Sequence, residues 1–287
     1  MTRLRLVLVL AITLATAATV TPAQAGLLDS LLGGSSGETN GTASDRTAAQ
    51  ACRPSVVPVI ELGLGSCPGL RPGSRVQTDN GSCTLNFLFT GSDGERYMGT
   101  AGHCILSTLP IGQNIGEESY APGEGPEARG ADGRRIGEFA YAIQDDVKDF
   151  GLVRLDDDVD ASPQVAQFGG PTGVNNEITS EPMQLSLFGN PLGIGGPLAS
   201  GRTLFARSGL PDRDLVRATG VSLQGDSGGP VLDEQGRAVG VLVGVGTPSA
   251  LSLASTDLLI ITRLSPQVRQ AERAMDVDLR LQRAPLL

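Results

Sequence analysis

The sequence lacks tryptophan entirely, and aromatic residues occupy only 3% of its 287 positions. Histidine and lysine occur once each, as His103 and Lys148. Acidic residues outnumber basic ones by 31 to 22, so the net charge of -9 provides no basic surface for nucleic acid or an anionic membrane. We therefore expect neither partner, and any chemistry that needs an imidazole must use His103.

Long apolar runs are also missing beyond the N-terminus. Residues 1–5 carry two arginines, residues 6–20 are apolar or small, and Ala-Gln-Ala at 23–25 forms an A-x-A cleavage site. This arrangement predicts a signal peptide over residues 1–25 rather than a membrane anchor. The mature protein would be secreted and extracellular, with no membrane association after cleavage.

Cysteine is scarce, and its even count fits an oxidising compartment. The four residues are Cys52, Cys67, Cys83 and Cys104. Three pairings are possible, and the sequence alone does not choose among them. None forms a C-x-x-C pair and only one histidine is present, so we expect no metal site and no cofactor.

Glycine, by contrast, is abundant, with 39 residues, and it separates many short apolar runs. Residues 26–75 predict a flexible leader or pro-segment that contains Cys52 and Cys67. Strands are predicted at 84–89, 96–100, 136–143, 150–155, 183–188, 203–206, 215–218, 230–232 and 238–243. Ser265 as N-cap and Pro266 after it predict a helix over 267–275. This pattern is typical of an all-β sandwich or pair of barrels.

The strongest chemical signal is the string G-D-S-G-G-P at residues 225–230. A nucleophilic serine needs a sharp turn that only glycine permits, so that its hydroxyl is exposed and nearby N–H groups converge on one point. Such donors stabilise an oxyanion by about 3 kcal/mol each. A plain glycine-rich turn could have the same composition. We interpret Ser227 as a nucleophile.

Two further segments supply a base and an acid. T-A-G-H-C at residues 100–104 places His103 between a strand end and a cysteine, as a candidate general base. Asp149 directly precedes the predicted strand 150–155 and could orient the imidazole, with Asp145 and Asp146 as competing candidates. The order His, Asp, Ser differs from the orders in subtilisins and α/β-hydrolases.

The three segments resemble the T-A-A-H-C, D-[IF]-A-L-[IV]-[KR]-L and G-D-S-G-G-P motifs of chymotrypsin-like serine peptidases, over roughly residues 80 to 265. The resemblance implies an all-β fold of two six-stranded antiparallel barrels, at 76–170 and 171–264, with a C-terminal helix and tail at 265–287. It implies His103 as general base and acid, Asp149 as the orienting carboxylate and Ser227 as the nucleophile. The N–H groups of Gly225 and Ser227 would form the oxyanion hole. In its low lysine content the chain resembles the secreted peptidases of GC-rich bacteria.

The family also suggests a disulfide pattern. Its cysteine beside the histidine commonly pairs with one on the preceding hairpin, which implies a Cys83–Cys104 bond. Cys52 and Cys67 are then left to pair with each other.

Three positions and one missing segment depart from the family pattern. Gly102 and Gly151 stand where the family motifs have alanine. The activation sequence of the animal enzymes, an arginine followed by I-V-G-G, is absent, which leaves the partner of Asp226 open. Val243 stands where the family often places a serine beside the catalytic aspartate.

The primary specificity pocket of the family has its floor six residues before the nucleophile, which here is Val221. With Ser222, Val243 and Val245, it implies a pocket without a carboxylate to pair a buried arginine or lysine. Glutamate-cutting relatives use a second histidine there, and this chain has none. Cleavage after uncharged residues of small to medium size is expected.

These observations predict a secreted, monomeric serine endopeptidase that acts on protein or peptide substrates. The alternative from another class is a catalytically inactive protease homologue that serves as a protein-binding module. Such homologues usually lose the histidine or the serine, and this sequence has both. A quality-control peptidase with an added PDZ-like domain is disfavoured because too few residues follow residue 264.

Overall fold

The computed structural model describes residues 69–106, 116–191, 200–206, 212–245, 254–255 and 258–287. The predicted signal peptide, most of the predicted leader and the expected Cys52–Cys67 pair lie outside the described residues. Packing begins before the predicted boundary at residue 76, because Leu70 bridges Ala161 and Arg71 is buried. Within the described ranges, no helix is both long and apolar enough to cross a membrane.

Eight strands from the first half of the chain form one antiparallel sheet. They are β1 (Arg75–Thr78), β2 (Gly81–Thr84), β3 (Leu88–Gly91), β4 (Arg96–Thr100), β5 (Gly116–Ser119), β6 (Glu127–Arg129), β7 (Arg135–Gln144) and β8 (Asp149–Leu155), with a single helical turn, α1 (His103–Leu106), after β4. Neighbours pair in the order β3-β4-β8-β7-β6-β1-β2, and β5 pairs with β7.

The first sheet returns to its start through the short link between β2 and β3. In this link the Leu85 N–H donates to the Ser74 carbonyl beside β1, and the Asn86 N–H donates to the Gly99 carbonyl of β4. β2 and β3 therefore act as one bent strand, and the first sheet curves around the first core as a half-barrel, referred to below as the first barrel.

The second half of the chain forms a closed barrel of six antiparallel strands. In chain order the elements are β9 (Met183–Gly189), β10 (Ser200–Ala206), β11 (Leu215–Thr219), β12 (Ser222–Leu223), β13 (Pro230–Asp233), β14 (Ala238–Val245), β15 (Ala254–Ser255) and β16 (Leu258–Arg263). The barrel order is β10-β11-β16-β14-β13-β9, while β12 and β15 pair with each other. The predicted all-β, chymotrypsin-like architecture is confirmed, although the first of the two expected six-stranded barrels is a half-barrel formed by the open nine-stranded sheet.

The few aromatic side chains are concentrated in the core of the first barrel. Six of them are fully buried there: Phe87, Phe89, Tyr97, Phe139, Tyr141 and Phe150. The core of the second barrel is aliphatic, with Leu185, Leu187, Leu204, Val231, Leu242, Leu259 and Ile261. Each buried side chain of this size contributes about 1.5–3 kcal/mol, so the second core forms without aromatic rings.

The C-terminal helix begins earlier than the sequence pattern predicts. α2 spans Leu264–Met275, its N-cap is Arg263, and no side chain caps it. Ser265 is therefore not the N-cap, and its Oγ donates instead to Asn176 Oδ1. The reason is that β16 runs directly into α2, so the last strand residue takes the capping position.

The tail after the helix belongs to the first sheet. β17 (Leu279–Leu281) pairs antiparallel with β3. Further on, the Gly170 N–H donates to the Pro285 carbonyl over 2.7 Å. The tail thus fastens the segment that connects the two barrels to the sheet that carries the single histidine.

Candidate active site

The single histidine lies where β4 leaves the first barrel. Asp149 begins β8 and faces Gln144 of β7. His103 Nδ1 lies 2.7 Å from Asp149 Oδ2, and the His103 backbone N–H donates to Asp149 Oδ1 over 2.9 Å. The carboxylate therefore holds both the ring and the backbone that carries it.

The protonation of this pair follows from its surroundings. Asp149 is 1% exposed, and His103 is partly exposed. Burial alone lowers the pKa of His103, but the charge of Asp149 and the hydrogen bond to it outweigh burial and raise the pKa above its ordinary value. Because Nδ1 faces the carboxylate, Nε2 is left to exchange a proton with another group.

The two competing acids have other contacts. Asp145 Oδ1 accepts the N–H groups of Val147 and Lys148 over 2.8 and 2.6 Å, which closes the turn between β7 and β8. Asp146 is exposed. Of the acidic residues that the structure describes, only Asp149 contacts the imidazole.

The loop that carries Ser227 depends on two glycines. Gly225 and Gly228 have φ values of +99° and +89°, which side chains of L residues rarely tolerate. A Cβ on Gly228 would lie 2.2 Å from the Thr84 carbonyl oxygen and 2.4 Å from Thr100 Oγ1. Glycine is therefore needed at residue 228 both for its conformation and for space, and the loop packs directly against the strand that leads to His103.

Ser227 is partly exposed, and its backbone surroundings suit an anion. The N–H groups of Asp226, Gly228 and Gly229 donate to backbone carbonyls, whereas those of Gly225 and Ser227 donate to none among the described residues. Within the same residues, no hydrogen bond joins the Ser227 hydroxyl to His103. Such bonds are often long before substrate binds and tighten in the complex.

Asp226, whose partner the sequence leaves open, is fully buried beside the nucleophile. Its Oδ2 accepts the Leu223 N–H over 2.7 Å, and its own N–H donates to the Leu223 carbonyl over 3.1 Å. A Cβ on Gly189 would lie 2.0 Å from Asp226 Oδ1. The carboxylate thus stabilises the turn that leads into Ser227.

The predicted Cys83–Cys104 disulfide is confirmed, with 6.3 Å between the two Cα atoms. It joins β2 to the residue after His103 and contributes about 3 kcal/mol in the chain-entropy model. The two sulfurs and His103 form a Cys/His cluster within the described residues, but disulfide sulfurs are not the thiolates that zinc requires.

The four expected pocket residues lie around the second barrel. Val221 is 44% exposed directly before β12, and Ser222 is buried within β12. Val243 is buried in β14 and has no polar donor for Asp149. Val245 ends β14, and its side chain lies outside the described residues, as do residues 246–253. The uncharged pocket therefore stays a prediction.

The two glycines that stand in place of alanine differ in the space around them. A Cβ on Gly102 would lie 2.0 Å from the Ile143 carbonyl oxygen and 2.9 Å from the Phe150 carbonyl oxygen. A Cβ on Gly151 would meet nothing closer than Ile105 Cδ1, at 3.1 Å. Only at Gly102 would an added Cβ collide with rigid backbone atoms, so only this glycine is required.

We therefore expect Gly102→Ala to push the His103 turn away from β7 and to lower the free energy of unfolding by about 1–3 kcal/mol. The matched variant Gly151→Ala should cost less, because its nearest neighbour is the movable end of a side chain and the nearest backbone atom, the Ala101 carbonyl oxygen, lies 3.3 Å away. Urea unfolding of both variants measures the difference. A loss for Gly151→Ala as large as that for Gly102→Ala would contradict the packing described here.

Comparisons with known proteins place this arrangement in a family. The sequence matches the model of the trypsin-like peptidase domain over residues 81–241, and no curated protein matches it. Among solved structures, it is similar to a glutamic acid specific serine protease at 19% identity and a TM-score of 0.48, covering 74% of this chain and 100% of that one. It is similar to a chymotrypsin of Cellulomonas bogoriensis at 18% identity and a TM-score of 0.46, covering 74% of this chain and 99% of that one. It is also similar to the Nocardiopsis protease NAPase at 17% identity and a TM-score of 0.43, covering 74% of this chain and 98% of that one.

The family match covers more than half of the chain and includes the His103, Asp149 and Ser227 segments. The two β-barrels have the architecture that this family resemblance implies. This chain therefore belongs to the trypsin-like peptidase family and is a serine protease of the chymotrypsin fold.

Proposed function

We propose that the protein is a secreted serine endopeptidase in which His103, Asp149 and Ser227 act as one catalytic triad. The hydrogen bond between the buried Asp149 and the single imidazole supports this most strongly. Ser227 Oγ would attack the carbonyl carbon of the scissile peptide bond while His103 Nε2 takes the hydroxyl proton. His103 then gives this proton to the leaving amine, and water activated by the same imidazole hydrolyses the acyl-enzyme ester.

The charge that develops during this attack also needs a partner. The N–H groups of Gly225 and Ser227 would stabilise the oxyanion of the tetrahedral intermediate, by about 3 kcal/mol each. A homologue that only binds proteins needs neither these donors nor a raised pKa at His103. The hydrogen bond between His103 and Asp149, which raises the pKa of His103, and the partly exposed serine therefore support an enzyme over the inactive alternative.

Secretion is proposed from the N-terminal sequence together with the disulfide. Residues 1–25 have the three parts of a signal peptide. The Cys83–Cys104 bond is of a kind that persists in oxidising compartments. Export would deliver the enzyme to protein or peptide substrates outside the cell.

Digestion of fluorescently labelled casein by the exported protein tests the proposed function. We expect release of labelled peptides, complete loss of release after treatment with phenylmethanesulfonyl fluoride, and no effect of a metal chelator. Intact casein in the presence of folded protein would favour the inactive, protein-binding homologue instead.

The specificity expected of this enzyme is a weak preference for uncharged residues of small to medium size before the cut. Val221 and Ser222 provide no charge that could pair a buried arginine, lysine or glutamate of the substrate, and an unpaired buried charge costs several kcal/mol. An apolar pocket discriminates only weakly between substrate side chains, because each methylene contributes about 1–3 kcal/mol. A cleavage profile on a peptide library measures it. A sharp preference for Arg, Lys or Glu would show that Val221 is not the pocket floor.

A further inference from the structure

The loop that carries Ser227 is bonded to residues of the first barrel as well as to its own barrel. Thr84, the last residue of β2, is fully buried and uses all of its polar atoms. Its Oγ1 donates to the Gly225 carbonyl over 2.8 Å and accepts the Asn190 N–H over 3.0 Å. Its N–H donates to the Ser227 carbonyl over 2.8 Å, and its carbonyl accepts Thr100 Oγ1 over 2.9 Å.

Asn86 makes a second attachment two residues further on, in the link between β2 and β3. Its Nδ2 donates to the Gly228 carbonyl over 3.0 Å, and its Oδ1 accepts the Phe87 N–H over 2.7 Å. The side chain is fully buried. A Cβ on Gly99 would lie 2.0 Å from Asn86 Oδ1, so that glycine leaves the space that the amide occupies.

The three carbonyl groups held in this way belong to Gly225, Ser227 and Gly228. Gly225 and Gly228 have positive φ, and glycine is the residue with the greatest backbone freedom. Fastening the Gly225 carbonyl restricts rotation about this residue, and with it the direction of the Gly225 N–H. A donor of an oxyanion hole stabilises the transition state only if it already points at the position of the developing charge.

We infer that Thr84 and Asn86 are positioning residues of the active site, a role that rests on the proposed peptidase function. They hold the oxyanion donors and the nucleophile in place from the first barrel. Thr84 also connects this loop, through Thr100, to the strand that ends just before His103. The relative position of the base and the nucleophile, which come from different barrels, is thereby fixed.

The variants Thr84→Ser and Thr84→Ala test this role, because both lose the methyl group and only the second loses the hydroxyl. The readout is the rate constant of inactivation by diisopropyl fluorophosphate, which reacts with an activated serine. Thr84→Ser should stay within about threefold of the unmodified protein, whereas Thr84→Ala should react about 10- to 100-fold more slowly. The pH midpoint of the reaction should not move in either variant, because the hydroxyl acts on the loop and not on the base.

Asn86→Asp provides the second test. It replaces the donor Nδ2 with a carboxylate oxygen that faces the Gly228 carbonyl, and it should slow inactivation by a similar factor. The matched control is Thr172→Ala, in the segment between β8 and β9. It removes a threonine hydrogen bond of the same kind, from Oγ1 to the Gln235 carbonyl over 2.9 Å. It should leave the rate unchanged.

Circular dichroism at the assay temperature establishes that each variant is folded. If Thr84→Ala does not fold, Thr84→Val keeps the side-chain volume without the hydroxyl and takes its place in the comparison with Thr84→Ser. Equal rates with and without the hydroxyl, with Asn86→Asp unaffected, would overturn the positioning role alone. No reaction of the unmodified protein would instead refute the peptidase function.

Discussion

Ser227→Ala is expected to lower the turnover of a peptide substrate by about six decades, the loss seen when a serine peptidase loses its nucleophile. Without Oγ no acyl-enzyme can form, and the proton that His103 would accept is missing. The oxyanion donors remain, so a residual rate about a thousand to ten thousand times that in water should persist. Turnover of a chromogenic peptide chosen from the cleavage profile measures this.

Folding should not change in this variant, because the Ser227 side chain is partly exposed and its backbone bonds are kept. Ser162→Ala is a suitable control, since it removes a serine hydroxyl outside the site that, among the described residues, accepts only the Gln164 N–H, over 3.3 Å. It should retain full turnover. If Ser227→Ala keeps near-normal turnover, the nucleophile is another residue.

Asp149→Asn should lower turnover by about four decades, because an amide favours the wrong tautomer of His103 and cannot stabilise the imidazolium. It should also change the pH profile. Activity needs neutral His103, so kcat/KM rises with pH through the pKa of that residue, which Asp149 raises. Without the carboxylate the lowering effect of burial remains, and the midpoint of the residual activity should move to lower pH.

The neighbouring acids serve as controls for this prediction. Asp146 is exposed, and Asp145 closes a turn through acceptor bonds that an asparagine oxygen can also make. Asp146→Asn and Asp145→Asn should therefore stay close to the unmodified protein in both turnover and pH midpoint. If either variant lost as much turnover as Asp149→Asn, or if Asp149→Asn did not move the pH midpoint, the acid assignment would be wrong.

Much of the candidate site could be predicted because its chemistry lies in short segments. His103 is the only imidazole, and Ser227 lies in a string that needs glycine on both sides. β4 has the predicted bounds, Arg96–Thr100, because a turn precedes it and the histidine segment follows it directly. Spacing alone does not separate Asp149 from Asp145 and Asp146, since the difference is which carboxylate reaches the ring, and it is the resemblance to the family motif that selects Asp149.

The contacts that hold the site together could not be predicted, because they join distant parts of the chain. The bond from Thr84 to Gly225 spans 141 residues, and a threonine in a strand usually signals nothing more than β propensity. The predicted strand 84–89 is divided into β2 and β3 at Asn86, whose amide bonds to Gly228. The sequence pattern does not predict β17 for a similar reason: the strand forms only because it pairs with β3, which lies far away in the sequence.

The sequence pattern does not predict β16 (Leu258–Arg263), for a different reason. Its residues form a continuous apolar run rather than an alternating one, because both faces of the strand are covered: Leu259 and Ile261 lie in the core of the second barrel, and Ile260 packs against the first core. Continuous runs of this length do not distinguish a buried strand from a piece of helix. The tertiary pairing decides, and the helix begins only at Leu264.

Labelling with a fluorophosphonate probe, followed by peptide mapping by mass spectrometry, tests the central claim most directly. The probe phosphonylates a serine only where a base and an oxyanion hole activate it. We predict that the folded, exported protein is labelled at Ser227 and at no other residue, and that labelling disappears when His103 is replaced by alanine. A folded protein that stays unlabelled, or one labelled at a different residue, would contradict the triad proposed for this chain.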